Sequence, residues 1–190
     1  MAEISKNLHR RSIRLSGYDY SSPGAYFITI VSQGNKCIFG KIVEKELVFY
    51  GLGSIVEDCW HNIPLHFMNV EIEPYVVMPN HIHGIITLNE DDRRGTIYRA
   101  PTRDDCVPTS DDPIPQIEQF GKPIAGSIPT IIRTYKAAVS RLARQQLGMV
   151  NLWQRNYYEH IIRGEIELNR ISEYILTNPR TWTDDPEHIL

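Results

Sequence analysis

Cysteine is scarce and long apolar runs are absent, and each shortage excludes a class of protein. Cys37, Cys59 and Cys106 are the whole complement. Three scattered thiols make no disulfide framework, which fits a reducing cytoplasm. No stretch approaches the roughly 18 uninterrupted apolar residues of a membrane span, so no membrane association is expected. Residues 1–15 are basic with no apolar block behind them, so no secretory signal is expected either. Internal repeats are also missing. What is present is a globular mixture, 190 residues with 42% apolar and 23% charged side chains. That is enough for one core, and residues 1–190 read as a single domain.

The net charge is only −3, but charge is segregated along the chain. Residues 1–16 hold four basic side chains against one acidic, and residues 121–160 hold six against Glu159 alone. The remaining segments are acidic. A slightly acidic protein can still bind nucleic acid if its two basic blocks meet on one face.

Periodicity gives the elements. Ala25–Ser32, rich in β-branched and aromatic residues, reads as a strand, and Cys37–Val43 with Glu46–Tyr50 as a hairpin. Ile55, Val56, Cys59 and Ile63 recur at helical spacing, so Ser54–Ile63 reads as a helix closed by Pro64. Val70–Met78 and His81–Leu88 read as antiparallel strands about a Pro79-Asn80 break. Residues 89–121 carry four prolines, paired charges and no apolar period, which suggests a mobile insertion. Ser127 is a plausible N-cap for a helix reaching Gln146. That helix has an apolar stripe (Ile128, Ile131, Ile132, Tyr135, Val139, Leu142) opposite Arg133, Lys136, Arg141 and Arg144. Leu152–Ile162 reads as a strand, and Glu165–Asn178 as a helix stopped by Pro179. This order predicts an α+β, ferredoxin-like antiparallel sheet with helices on one face and an added C-terminal helix. Such folds host many activities, so function must come from a site.

Two features carry chemistry. His81 and His83, two apart on a strand, project from the same side of the sheet. They can close on one divalent cation, which would need a further, oxygen-donating ligand, or make polar contacts at a sheet edge. Tyr174 and Asn178, four apart on the last helix, share one face. They offer a phenol and an amide oxygen, or else a core-edge tyrosine and a C-cap. Asp58, Cys59, His61 and His66 cluster in sequence, but their spacing fits no usual zinc ligand set.

Taken together, His81-Ile82-His83 with the preceding Val-Val-Met-Pro-Asn, the segment Trp153-Gln154-Arg155-Asn156-Tyr157-Tyr158-Glu159-His160, and Tyr174-Ile175-Leu176-Thr177-Asn178-Pro179 resemble the single-tyrosine HUH transposases. The resemblance is greatest to their REP-associated branch. The block from Arg10 to Phe27 is similar to one subgroup of that branch. The resemblance implies a metal-dependent DNA endonuclease and strand transferase. His81 and His83 would hold Mg²⁺ or Mn²⁺, with Asn178 where relatives place an amide ligand. Tyr174 would attack phosphorus, leaving a 5′-phosphotyrosine and a free 3′-hydroxyl. The absence of a Walker-type loop is consistent with such chemistry, which needs no nucleotide cofactor.

Tyr157 and Tyr158 are rival nucleophiles, but on a strand they face opposite ways and neither has a ligand-type residue one turn on. His160 is a candidate further ligand, a phosphate contact, or a packing partner of Trp153. The expected partner is single-stranded, hairpin-bearing DNA. Arg10, Arg11, Arg14, Arg133, Lys136, Arg141, Arg144 and Arg155 would neutralise its phosphates. A cytoplasmic protein associated with the nucleoid, monomeric or homodimeric, is implied. Two other functions stay open: a domesticated nucleic-acid-binding module without turnover, and a metal-dependent nuclease that uses water as its nucleophile.

Overall fold

The computed structural model describes residues 15, 17–72, 74–90 and 124–187. Arg10, Arg11 and Arg14 lie outside the described residues, as does the expected insertion beyond Glu90. The chain enters β1 at Gly24–Val31, then forms a separate hairpin of β2 (Gly40–Val43) and β3 (Glu46–Phe49). Glu44 and Lys45 turn that hairpin with positive φ at both residues, as a tight two-residue connection requires. Helix α1 spans Gly51–His61 and the short α2 spans Ile63–His66. Strands β4 (Val70–Glu71), β5 (Tyr75–Val77) and β6 (His81–Leu88) follow. Helix α3 is Ile128–Leu147, β7 is Tyr158–Ile161, and α4 is Glu165–Thr177, continued by a 3-10 turn over Asn178–Asp184. No described helix is long and apolar enough to cross a membrane.

Several boundaries differ from the sequence reading for identifiable reasons. The single strand expected over Val70–Met78 is two pieces, both paired to β6 (Val70↔Leu88, Tyr75↔Gly84). Pro74, which has no N–H to give the ladder, stands just before the second piece. Helix α1 starts at Gly51 rather than Ser54, because Gly53 fits where a Cβ would lie 2.1 Å from the Phe39 carbonyl oxygen. Strand β7 is shorter than Leu152–Ile162: Asn156 takes φ 82° and turns the chain just before Tyr158. Trp153 makes only an isolated bridge to Ser32.

The main sheet runs β4-β6-β1-β7, with β5 also on β6, and every pairing is antiparallel. With β4 and β5 counted as one interrupted strand, this is the order of a ferredoxin-like β-α-β-β-α-β sheet. The pleat sorts side chains between its faces. Tyr26, Ile28, Ile30, Ile82 and Ile86 meet Trp60 of α1 and Ile131, Ile132, Tyr135 and Val139 of α3. Phe27 and Ile85 meet Ile171 and Ile175 of α4 on the opposite face. So α1 and α3 share one face, and the added helix occupies the other.

Gly84 shows how tightly the first face is filled: a Cβ there would lie 2.4 Å from Trp60 Cζ2. Gly84→Ala should cost about 1–3 kcal/mol of overpacking strain. The cost should shrink in a Trp60→Phe background, because the obstructing atoms are gone. Equilibrium denaturation of the two single variants and the double variant checks this. Strictly additive losses would contradict the contact.

Candidate metal and nucleophile site

The alternation of β6 sends Ile82, Gly84 and Ile86 into the larger core and leaves His81 and His83 on the α4 side. Both histidines are buried, at 0% and 4% exposure. On the facing helix, Ile171 and Ile175 are the buried anchors, and they aim the intervening Tyr174 at the histidines. Its phenol oxygen lies 3.1 Å from His83 Nε2. Pro179 cannot continue the α-helix, and the chain tightens into the 3-10 turn. That turn swings the next residue, Asp185, back under the helix end.

Asp185 was not among the residues singled out from sequence, yet it is the centre of the site. Its Oδ2 accepts from Asn178 Nδ2 at 2.6 Å and from the Tyr174 hydroxyl at 3.0 Å. The same oxygen lies 3.6 Å from His83 Nε2 and 3.9 Å from His81 Nε2. Its Oδ1 accepts the Glu187 backbone N–H. Among the described residues, His81, His83 and Asp185 are the one group of three His, Cys, Asp or Glu whose ligand atoms all lie within 4.8 Å of one another.

Hydrogen bonds fix which atoms remain to be ligands. Asn80 Nδ2 donates to the carbonyl oxygens of Asn35 and Glu187, so its Oδ1 is left to accept from His81 Nδ1 at 2.8 Å. That places the His81 proton on Nδ1 and a bare lone pair on Nε2. His83 Nδ1 is held by Thr29 Oγ1 at 2.8 Å. Asn178 spends its amide nitrogen on Asp185. Its Oδ1, like His81 Nε2, is then a buried acceptor with no partner. Two orphaned acceptors beside a carboxylate could hold a cation, and the Asn80 and Thr29 bonds to the far ring nitrogens are of the kind that metal-binding histidines ordinarily make. The nitrogen and oxygen ligands suit a divalent ion.

The electrostatics follow from crowding. Burial, and then the neighbouring His83, pull His81 down to about 3, against the opposing field of Asp185. Burial acts to raise Asp185, but His83, Asn178, His81 and the Glu187 N–H together hold it below the usual carboxylate range. Tyr174 is pushed well above its ordinary value by burial and by the charge of Asp185. In this arrangement the carboxylate is ionised and the phenol protonated.

Of the other residues named from sequence, Arg133, Arg141 and Arg144 are exposed on α3, beyond the far face of the sheet. Lys136 is instead committed to structure. It donates to the carbonyl oxygens of Gln154 and Asn156 and is lowered to about 8 by burial. Arg155 is exposed in the turn before β7. Tyr157 packs on the larger core, whereas Tyr158 emerges on the α4 face beside Phe27. His160 does not join the cluster and is hydrogen-bonded to Glu167 of α4 at 2.8 Å. His61, in the cluster whose spacing did not fit zinc, is bonded to the Tyr75 hydroxyl.

Because His81 is depressed in the fold, its stabilisation is complete above its ordinary value of about 6.5 and is lost as pH falls toward about 3. In chelator, the pH 7 to 5 range should cost the wild type about 2 kcal/mol more than it costs His81→Gln. Urea titrations at the two pH values measure this. Equal losses would place the buried proton acceptor elsewhere.

No protein-family model matches the chain. A Haemophilus influenzae protein, itself uncharacterized, is 40% identical over 181 residues, covering 95% of this chain and 94% of that one. Among solved structures, a REP-associated tyrosine transposase bound to a REP hairpin superposes with TM-score 0.54 at 19% identity. It covers 92% of this chain and 80% of its own. A candidate transposase of Deinococcus radiodurans R1 gives 0.41 at 16% identity, over 87% of this chain and 96% of its own. The chain therefore belongs to the family of the Haemophilus influenzae protein, and its fold is that of the REP-associated tyrosine transposase.

Proposed function

We propose that this protein is a metal-dependent single-stranded DNA endonuclease and strand transferase of the HUH tyrosine type, acting on hairpin-bearing DNA. The observation that carries the reading is the position of the Tyr174 phenol, within hydrogen-bond reach of both His83 Nε2 and Asp185 Oδ2. A nucleophile thus sits against the same atoms that form the cation donor set. The REP hairpin held by the solved relative supports a folded single strand as the substrate.

His81 and His83, with Asp185 and the Asn178 amide oxygen, would hold Mg²⁺ or Mn²⁺. Such an ion supplies charge stabilisation at the scissile phosphate and favours the phenolate beside it. Tyr174 is 37% exposed, so its ring borders the open surface on which a strand would lie. Attack forms the bond from Tyr174 Oη to phosphorus and breaks the P–O3′ bond. The phenol proton has a relay 3.0 Å away at Asp185 Oδ2, which hands it on to solvent and so balances the proton taken up by the leaving oxygen. The departing 3′ oxygen takes a proton from water, giving a 5′-phosphotyrosine and a 3′-hydroxyl. Another strand's 3′-hydroxyl can reverse the step at a new junction, with bond energy conserved in the covalent link. Asn80 and Thr29 act by keeping each imidazole in one tautomer and orientation. The exposed arginines of α3 and Arg155 offer phosphate contacts that position the DNA without reading sequence.

Tyr174→Phe deletes only the hydroxyl, so hairpin binding should persist and the covalent adduct should vanish. Tyr157→Phe and Tyr158→Phe should retain adduct formation. Denaturing gels of protein incubated with labelled single-stranded hairpin DNA and Mn²⁺ provide the readout. Metal-dependent cutting with no adduct in any variant would favour water as the nucleophile. An absence of both would favour a binding module.

His83→Ala should reduce cleavage by at least about 100-fold, the scale on which positioned metal ligands act. Hairpin affinity should change by less than about threefold, because the proposed phosphate contacts lie outside the cluster. Cleavage assays and fluorescence anisotropy separate the two effects. Normal cleavage by His83→Ala in chelator would end the metal-dependent reading.

A further inference from the structure

The exposed aromatic ring of Tyr158 has no place in the chemistry described above. It lies on the site's own face of the sheet. In the register, Thr29 of β1 pairs with His83 on one side and Tyr158 on the other. Tyr158 is therefore level with His83, two strands across, roughly 10 Å at ordinary strand spacing. Phe27 joins the two rows: it stacks on His83 and meets Tyr174 and Tyr158 in perpendicular contacts, each at 6.3 Å between ring centroids. The two tyrosine rings are thus no more than twice that distance apart.

Tyr158 is left exposed at the outer edge of this face among the described residues. Helix α4 begins beside His160, to which Glu167 is bonded, and packs toward Val76 and Ile85. The start of edge strand β7 is left open, and Tyr158 is 46% exposed with no ring stacked on it. On the far face, Lys136 ties α3 to the turn leading into β7, and the exposed Arg155 lies in that turn. Arg155 therefore places one exposed cation beside the open edge, where it can meet a phosphate.

We infer that Tyr158 is a stacking subsite for an unpaired nucleobase flanking the phosphate presented to Tyr174. This rests on the single-strand reading above and deepens it. A flat ring on an open sheet surface offers a face to any base, and such stacking is sequence-tolerant. The perpendicular contact with Phe27 holds the ring in place, so little rotamer freedom is lost when a base arrives. A base held there would set the distance at which the adjoining phosphodiester meets the Tyr174 phenol.

The test uses the full chain in chelator, where the proposed cleavage is off, with two fluorescein-labelled probes: a dT 12-mer and a fully abasic 12-mer. Tyr158→Ala should weaken binding of the dT 12-mer by about five- to 150-fold, the range of one lost base–aromatic stack. It should leave affinity for the abasic 12-mer unchanged. Tyr158→Trp should keep the dT affinity or increase it. Equal weakening on both probes, no weakening on dT, or no binding of dT by the wild type would each overturn the subsite. A parallel incubation of wild type with hairpin DNA and Mn²⁺ tests the nuclease separately. A base-dependent Tyr158 effect without any adduct would keep the subsite and end the strand-transfer reading.

Discussion

One buried negative charge organises the C-terminal third of the described chain. Asp185 lies under the end of α4, where its carboxylate accepts from the Asn178 amide, the Tyr174 hydroxyl and the Glu187 N–H and faces His83 and His81 Nε2 at 3.6 and 3.9 Å. An ionised carboxylate is expensive to bury unless nearly every lone pair is used. Here three donors compensate it in part, and they draw together the last turn of α4 and the chain beyond the 3-10 turn, facing the start of β6. The same charge keeps Tyr174 protonated when no cation opposes it. A site built this way has a net preference for a positive occupant.

The sheet makes that arrangement possible by dividing labour between its faces. Residues at even positions of β1 and β6 build the large core with α1 and α3. The odd positions hold a smaller apolar patch, Phe27 and Ile85 against Ile171 and Ile175, and then the histidines. Rigid packing on one side fixes the strand that carries His81 and His83. The helix on the other side is anchored by few residues, so Glu167 bonding both His160 and the Arg163 N–H matters for where α4 starts. Tyr174 is two turns further along that helix, and its position depends on that start.

Much of this was legible in the residues, and the failures are instructive. A period of two along His81–Leu88 and a period of 3.6 along Ile128–Leu147 are consequences of burying one face, so these elements appear in the sequence almost to their ends. The pairing of Tyr174 with Asn178 was legible because it is local. Asp185 was not. It comes after the helix, beside a second aspartate, Asp184, and only the 3-10 turn after Pro179 decides which of the two is buried. Lys136 misled for a related reason: as a charge opposite an apolar stripe it looks solvated, while the neighbouring loop supplies carbonyls that capture it. Local pattern reports which face is buried. It does not report which distant backbone arrives there.

Calorimetric titration of chelator-treated protein with Mn²⁺ tests most directly whether the buried donor set is a cation site. A cation site there should give saturable binding of one ion per chain, abolished in Asp185→Asn, which keeps the shape of the carboxylate and removes its charge. Absence of Mn²⁺ binding to the wild type, or binding unchanged in Asp185→Asn, would contradict it.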